Sequence, residues 1–153
     1  GSEMCIRDSC ETKPEILQIE SHPYLTQEKL IRLAKDYGLE VTAFSPLGSI
    51  SYEELGGAEE SESILKNKIV QSISKDIGIT PAQLILGWAL NRGTSIVVKS
   101  TNEIRMKENL AASRIKLQQS IIDKISALNV NKRYNDPGIF CEDAFNTFFP
   151  IYE

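Results

Sequence analysis

The same order of structural signals, a short apolar run followed by an amphipathic helix, occurs three times along this chain of 153 residues. Short β-rich runs that alternate with amphipathic helices are typical of parallel strands joined by helical crossovers. The apolar runs lie at 16–21, 39–45 and 95–98, and helical periodicity follows them at about 26–37, near 62–77 and 81–92, and near 102–112. The sequence therefore predicts an α/β fold built on a parallel sheet.

Residues that favour helix ends flank these helices. Thr80-Pro81-Ala82-Gln83 is a capping-box pattern with proline at the first helical position, and Gly93 follows the last turn. Thr26 is expected to cap the first helix, and Gly38 is expected to end it in the left-handed conformation. A further apolar stripe at 117–128 predicts a last helix. We expect these apolar stripes to form core and assign them no function.

The third apolar run carries a chemical signal. Ser95-Ile96-Val97-Val98 ends in Lys99-Ser100, and a helix signal opens at Thr101. Free N–H groups at a helix N-terminus attract anions, and Arg105 offers a planar fork of donors suited to phosphate. The residues alone leave two interpretations open. One is a phosphate site, and the other is a solvated lysine and arginine that flank an ordinary strand-to-helix turn.

Composition argues against several classes of partner. A formal net charge of −4 and a pI near 5.2 argue against nucleic acid and against an anionic membrane surface. No run approaches the roughly 18 apolar residues of a membrane span. Cys5, Cys10 and Cys141 lack metal-ligand spacing, and His22 is the only histidine, so a metal site built on several histidines is excluded. The expected compartment is a reducing cytoplasm. The stretch at 51–63 is expected to be a surface loop.

Three motifs in register carry a family resemblance. In order, spacing and intervening helices, they resemble the second half of an aldo-keto reductase from about Lys13 to Asn129. The segment from Arg133 to Pro137 resembles the tail of the aldose and xylose reductase branch. The three motifs are Gln18-Ile19-Glu20-Ser21-His22-Pro23-Tyr24-Leu25, Phe44-Ser45-Pro46-Leu47-Gly48-Ser49, and Val98-Lys99-Ser100 followed by Arg105, Glu108 and Asn109.

This resemblance implies a (β/α)8 TIM barrel, of which the chain holds about the last three βα units, a C-terminal helix and a tail. In the family, NAD(P)H lies across the carboxyl ends of the strands. Gln18 is then expected to bind the nicotinamide carboxamide, Phe44 to stack on its ring, and the loop at 45–49 to lie along the pyrophosphate. Lys99 and Arg105 are expected to bind the adenosine 2′-phosphate. The implied cofactor residues are Gln18, Phe44, Ser45, Leu47, Ser49, Lys99, Ser100, Thr101, Arg105, Glu108 and Asn109.

Three positions depart from the family pattern. Phe44 stands where the family usually has tyrosine. Phenylalanine keeps the π-face for stacking but lacks the hydroxyl. Val98 stands where proline is common, and Thr101 where some xylose reductases have asparagine near the adenosine ribose. Thr101 leaves the choice between NADP and NAD open, whereas Lys99 and Arg105 together favour NADPH over NADH.

The catalytic residues of the family are not found in this sequence. The family uses a tyrosine acid assisted by a lysine, an aspartate and a histidine, all from the first half of the barrel. His22 follows the wrong strand and is expected to order a loop. No catalytic residue and no metal ligand is therefore predicted. Residues 11–153 are expected to be the C-terminal part of a longer reductase, and residues 1–10 a non-native or unmatched leader.

The function expected of the full-length parent is NAD(P)H-dependent reduction of a sugar or other small carbonyl compound to an alcohol, by a monomer or dimer. The alternative is a non-catalytic nucleotide-binding or assembly module that folds as an open layer of strands and helices. The substrate itself cannot be read from these motifs. Four tail side chains are apolar enough to line a pocket or simply to pack on the barrel, namely Phe140, Phe145, Phe148 and Phe149.

Overall fold

The computed structural model describes residues 2–53 and 58–147, and a parallel sheet lies at their centre. The strands are β1 (Ile16–Glu20), β2 (Glu40–Phe44) and β3 (Ser95–Val97), in the order β1-β2-β3. Across the first pair Ile16 lies opposite Glu40, and across the second Thr42 lies opposite Ser95. The predicted parallel α/β arrangement is confirmed.

Helices follow each strand, as the periodicity predicts. The helices of the described residues are α1 (Ser2–Ser9), α2 (Glu28–Asp36), α3 (Ile50–Glu53), α4 (Lys68–Ile77), α5 (Pro81–Asn91), α6 (Glu103–Ala111), α7 (Gln119–Ser126) and α8 (Pro137–Phe145). Single 3₁₀ turns lie at Glu60–Glu62, Ile64–Lys66 and Ala112–Arg114. Helices α1, α3 and α8 are elements that the sequence pattern does not predict, and α8 follows the helix at 117–128 expected to be the last.

The stretch expected as a surface loop at 51–63 contains helical turns among its described residues. Helix α3 covers its start, a 3₁₀ turn covers Glu60–Glu62, and Tyr52 is buried. Residues 54–57 lie outside the described residues. The expectation of a loop is wrong for the start of the stretch, because the ring of Tyr52 packs against that of Tyr134, a contact that a local pattern does not contain.

The ends of α5 are those predicted. Thr80 Oγ1 accepts a hydrogen bond from the N–H of Gln83 at 3.2 Å, and Gln83 Oε1 accepts one from the N–H of Thr80 at 3.1 Å. This is the predicted capping box, with Pro81 in the first turn. Gly38 and Gly93, which follow α2 and α5, have φ angles of 74° and 75°, as the left-handed helix ends require.

The start of α2 differs from the prediction. Gln27, not Thr26, is the N-cap residue, and it offers no side-chain cap. Thr26 donates its backbone N–H to Asn129 Oδ1 at 3.1 Å, and its carbonyl accepts a hydrogen bond from Arg92 at 2.8 Å. The predicted cap is therefore wrong, because contacts distant in sequence hold Thr26 outside the helix.

One face of the sheet packs against helices and forms the core. Ile19 and Val41 lie in one cluster with Ile31 and Ala34 of α2. Trp88 Nε1 donates to Ser126 Oγ at 3.0 Å, which satisfies the polar edge of this buried indole. The predicted stripes are thus confirmed as core for most of their residues, whereas Leu33 and Tyr37 of the stripe after β1 are 39% and 45% exposed. The second cluster contains Ile64, Val70, Leu84, Ile85, Trp88, Ala89, Ile122 and Ile125.

The opposite face of the sheet is open within the described residues. Side chains alternate across a strand, so Ile16 and Gln18 share this face with Thr42 and Val97. Ile16 is 62% exposed and Val97 is 54% exposed. A barrel closes only when strand number, tilt and shear agree, and the three strands described do not meet that condition.

The described tail ends in α8. Asp136 caps this helix by accepting the N–H of Gly138 at 2.9 Å. Phe145 is 75% exposed, and the expected packing of the tail side chains on a barrel stays a prediction. Phe148 and Phe149 lie outside the described residues. Among the helices that are described, none combines the length and the apolar character needed to cross a membrane.

Candidate cofactor site

The carboxyl ends of the strands lie side by side at one edge of the sheet. Glu20 pairs with Phe44, and Phe44 pairs with Val97. Gln18 lies two residues before Glu20 on the same face of the sheet, where it pairs with Thr42 and is exposed. The structure therefore brings Gln18 and Phe44 onto one open surface at the strand ends, which is where ligands bind in parallel α/β folds.

The loop after β2 begins with a tight turn. Ser45 and Gly48 have φ angles of 49° and 70°, and the N–H of Gly48 donates to the Ser45 carbonyl at 2.9 Å. A left-handed serine is unfavourable and needs support from its surroundings. Ser45 Oγ lies 3.0 Å from the Tyr52 hydroxyl, and this hydrogen bond supports the turn. Burial raises the pKa of Tyr52, the hydrogen bond with Ser45 lowers it, and the charge of Glu20 raises it further, so the phenol is protonated at neutral pH.

Two predicted residues of this loop lie against or within the protein interior. Leu47 packs against the core cluster that contains Trp88. Ser49 is fully buried immediately before α3. Both residues therefore lie on the core side of the loop, whereas Ser45 is half-buried at the strand end, and their predicted contact with a cofactor stays a prediction.

The segment after β3 is joined to α6 by side-chain hydrogen bonds. Ser100 Oγ accepts the N–H of Asn102 at 3.2 Å, and Asn102 Oδ1 accepts the N–H of Arg105 at 3.0 Å. Asn102 thus caps α6 and satisfies one of the first-turn N–H groups that the pattern made available to an anion. Lys99, Thr101 and Arg105 are exposed around this helix start. Two cations and a helix N-terminus at one place suit an anionic ligand.

Ser100 and Asn109 come together in a cavity beside α6. The carbonyl of Glu108, on the same helix, accepts a hydrogen bond from Gln83 Nε2 at 3.3 Å. The residues predicted for the adenosine end are therefore divided between an exposed cationic turn and a mostly apolar groove. The cavity measures about 340 Å³ and is lined by Leu90, Ile96, Val98, Ser100, Met106, Asn109, Leu110 and Ser113.

Glu20, which is absent from the predicted site residues, is a fully buried carboxylate at the end of β1. Its Oε1 accepts the backbone N–H of Tyr134 at 2.8 Å and lies 3.1 Å from His22 Nε2. Its Oε2 accepts the N–H of Asn135 at 3.2 Å and lies 3.5 Å from the Arg133 guanidinium. The sequence signal that could have indicated this site is an acidic residue inside an apolar strand run.

The carboxyl group of Glu20 is held in its ionised form. Burial raises its pKa, but the hydrogen bond from His22, the N–H groups of Tyr134 and Asn135, and the electrostatic attraction of His22 outweigh burial and hold the pKa below its usual value. The charge is therefore balanced within the protein.

In the part of the chain that is described, no group of His, Cys, Asp or Glu side chains could hold a metal ion.

His22, Tyr134 and Tyr52 form a cluster of rings beneath the loop after β2. The ring centroids of His22 and Tyr134 lie 5.2 Å apart, and those of Tyr52 and Tyr134 lie 6.0 Å apart with planes inclined by 16°. A Cβ added at Gly48 would lie 3.6 Å from Tyr134 Cε2 and 3.9 Å from His22 Cγ, so this glycine faces the two rings. The His22 ring is fully buried beside this turn, and its expected role in ordering a loop stays a prediction.

Comparison with known proteins identifies the family. The family model described as "Aldo/keto reductase family" matches residues 3–130. The chain belongs to the aldo/keto reductase family. The match begins inside the segment at 1–10, whose origin as a non-native leader stays a prediction.

Fungal xylose reductases are among the aldo/keto reductases that this chain resembles. It is 42% identical over 142 residues to the "Probable NAD(P)H-dependent D-xylose reductase" of Aspergillus terreus, which covers 92% of this chain and 43% of that protein. It is also 42% identical over 127 residues to the NAD(P)H-dependent D-xylose reductase of Aspergillus niger, which covers 82% of this chain and 40% of that protein. The chain lies in the xylose reductase-like branch and spans less than half the length of these relatives.

A solved aldo-keto reductase from a Medee basin deep-sea metagenome library shares the fold. It superposes with a TM-score of 0.74 at 22% sequence identity, over 85% of this chain and 45% of that one. This likeness concerns the fold alone. The predicted TIM-barrel type is thereby confirmed, and the described strands and helices correspond to part of that fold.

Proposed function

We propose that this chain forms the cofactor-binding part of an NAD(P)H-dependent reductase that converts a small aldehyde or ketone, such as a sugar, to the alcohol. The observation that carries the proposal is the placement of Gln18, Phe44 and the segment at 99–105 after neighbouring parallel strands in an aldo/keto reductase chain. The names of the fungal relatives support both the cofactor and the sugar.

Gln18 and Phe44 suit the nicotinamide end of the cofactor. The exposed Gln18 amide offers a donor and an acceptor, which a carboxamide can match. The half-buried Phe44 ring at the end of β2 offers a π-face for stacking. Bound NADPH would supply a hydride to the carbonyl carbon of the substrate. The part of these residues is to bind and orient the ring, because a reacting geometry held in advance lowers the barrier.

Lys99 and Arg105 suit the 2′-phosphate of NADPH, which NADH lacks. Both are exposed, and within the described part of the chain neither takes part in an ion pair, whereas Lys107 of the same helix pairs with Glu103 at 2.7 Å. Arginine binds phosphate through paired donors. The remaining proposed adenosine contacts are Ser100, Thr101, Glu108 and Asn109.

The proton donor is proposed to come from outside residues 11–153, in a longer protein. A general acid must reach the substrate oxygen and have a pKa near the working pH. Tyr52 and Tyr134 are buried in the ring cluster, the Tyr24 hydroxyl accepts a hydrogen bond from Asn67, and the Tyr37 ring lies under the Arg7 guanidinium. These contacts support assigning no catalytic role to the tyrosines of the described residues. Residues 11–153 then contribute cofactor binding.

The compartment that we propose is the cytoplasm. The described cysteines are free thiols, and disulfides are rare where glutathione and thioredoxin keep thiols reduced. They are Cys5, Cys10 and Cys141.

The open face of the sheet favours a second candidate function, a non-catalytic nucleotide-binding or assembly module. Ile16 and Val97 expose apolar side chains on this face that a partner could cover. The two candidates differ in what happens when the chain is completed. A chimera can be made by joining this chain to the portion of the Aspergillus niger relative that the match does not cover. The chimera is expected to reduce a carbonyl compound if this chain is part of a reductase, and not to do so if the chain is an assembly module.

The test of the first candidate uses that chimera together with the chain alone. Fluorescence titration is expected to show NADPH binding by both forms, and the chimera is expected to oxidise NADPH when xylose is added. NADH titrated in parallel measures the preference. Binding without xylose-dependent oxidation by a folded chimera would favour the module, and the absence of NADPH binding by both forms would contradict the proposed site.

A further inference from the structure

We propose that Glu20 is a positioning residue that shapes the loop after β2 by holding the tail segment at 133–135 against it. The inference rests on the proposed function to the extent that this loop is proposed to bind the cofactor. The coupling between Glu20 and the loop is a separate statement about the fold and can be measured without a cofactor.

The first step is the contact between Glu20 and the tail. The carboxylate is fully buried and accepts the backbone N–H groups of both Tyr134 and Asn135. Hydrogen bonds to an ionised acceptor are roughly twice as strong as neutral ones. Upstream of these residues, the N–H groups of Val130 and Lys132 donate to the Tyr24 carbonyl at 3.2 Å and 2.9 Å. Glu20 therefore holds the backbone of the tail beyond Lys132 at two N–H groups, while the Tyr134 hydroxyl donates to the Glu62 carbonyl at 3.4 Å.

The second step runs from the tail to the loop. The Tyr134 ring lies against those of His22 and Tyr52, and Gly48 faces it, because a Cβ added there would lie 3.6 Å from Tyr134 Cε2. Tyr52 in turn hydrogen-bonds Ser45 Oγ. If Tyr134 moves away, Tyr52 and Gly48 lose the surface on which the left-handed turn is built.

The main test is amide hydrogen exchange of this chain with Glu20→Gln, and Glu40→Gln, an exposed glutamate at the start of β2, as the matched control. The exchange rates of the Tyr134 and Asn135 amides measure how firmly the tail is held. The exchange rates of the Gly48 and Tyr52 amides measure the stability of the loop, because these N–H groups donate to the carbonyls of Ser45 and Ser49. We expect exchange to accelerate by roughly tenfold or more at all four in Glu20→Gln. The amides of 130 and 132 and the control variant should be unchanged.

A pair of variants at Tyr134 separates positioning from general loss of stability. Tyr134→Ala removes the ring and should accelerate exchange at Gly48 and Tyr52. Tyr134→Phe keeps the ring and loses only the hydroxyl, which donates to the Glu62 carbonyl at 3.4 Å. In this variant, exchange at Gly48 and Tyr52 should stay as slow as in the unmodified chain. If Glu20→Gln loses protection throughout the sheet because it does not fold, this pair decides the question.

Two results would overturn the proposal: fast exchange of the tail with an unchanged loop in Glu20→Gln, or the same loop exchange in Tyr134→Ala and Tyr134→Phe. The NADPH dissociation constant of the same variants tests the functional part and is expected to rise several-fold in Glu20→Gln but not in Glu40→Gln. Failure of the unmodified chain to bind NADPH would refute the proposed function, and the exchange rates would still decide whether Glu20 positions the loop.

Discussion

The Glu20 carboxylate and the backbone N–H of Tyr134 are joined by a 2.8 Å hydrogen bond across a separation of 114 positions. This bond ties the end of β1 to the tail. Because the Tyr134 ring also stacks on Tyr52, the same contact supports the loop after β2. A buried acidic group thus connects two segments at the edge where the cofactor is proposed to bind.

Glu20→Gln is expected to weaken the dependence of stability on acid pH. Folding holds the pKa of Glu20 below its ordinary value of 4.5, so the fold favours the ionised form. This contribution to the free energy of unfolding is complete above that ordinary value and is lost as the pH falls through the lower pKa of the folded state. At neutral pH the variant should lose about 1–3 kcal/mol, the usual cost of poorly satisfied buried groups.

Urea unfolding at a series of pH values measures this effect. The unmodified chain should lose more stability than Glu20→Gln as the medium becomes acidic, while the exposed Glu40→Gln control follows the unmodified chain. Equal losses in all three proteins would show that Glu20 does not carry the pH dependence.

Arg105→Ala is expected to weaken NADPH binding and to leave NADH binding nearly unchanged. The expected loss is about 1.5–3 kcal/mol, the range for hydrogen bonds to charged groups, because only NADPH carries the 2′-phosphate. Fluorescence titration with both nucleotides gives the comparison. Arg114→Ala, which removes an exposed arginine beyond the end of α6, is the matched control. A similar loss for both nucleotides would assign Arg105 to another part of the cofactor.

Phe44→Ala in the chimera is expected to reduce turnover more than it reduces NADPH binding. Loss of the stacking ring leaves the nicotinamide poorly oriented, and a small misplacement can lower the rate by about 100-fold. Phe44→Tyr keeps the π-face and should stay close to the unmodified protein. Steady-state kinetics beside equilibrium titration separate the two effects. Weak binding with unchanged turnover would make Phe44 a packing residue.

This chain by itself is expected to reduce no aldehyde and to self-associate. It carries no assigned proton donor, and the outer edges of β1 and β3 are unpaired within the described residues. Unpaired edges are templates for association. Val97→Lys, which places a charge on an exposed strand position, should shift the chain toward monomer in size-exclusion chromatography with light scattering. A monomeric chain that oxidises NADPH with an aldehyde would refute both expectations.

Local patterns in the sequence were enough to predict most of the secondary structure. The capping box between Thr80 and Gln83 spans one helical turn, so its geometry depends on neighbouring residues only. Gly38 and Gly93 end their helices for the same local reason, the low cost of a positive φ angle in glycine. The α/β class follows from hydrophobic periodicity, which records which side of each element is buried.

The candidate site could be predicted only in part. The alignment of Gln18 and Phe44 on one surface follows from parallel strands in register, and the cations at Lys99 and Arg105 follow from their place at a helix start. Their roles came from the family resemblance, because a short polar motif does not specify its ligand. Ser49 shows that a motif does not tell which of its side chains are accessible to a ligand, since Ser49 belongs to the matched motif but is fully buried.

The sequence by itself determined the order of the strands and of the helices that carry a clear apolar stripe, the helix ends that depend on neighbouring residues, and the family. Only the tertiary structure decided that Thr26 is held by Asn129 instead of capping α2, and that Glu20 binds the tail at Tyr134. The physical reason is distance along the chain. Propensity and capping act within a few residues, whereas these contacts join positions separated by 103 and 114 residues and exist only once packing has brought them together.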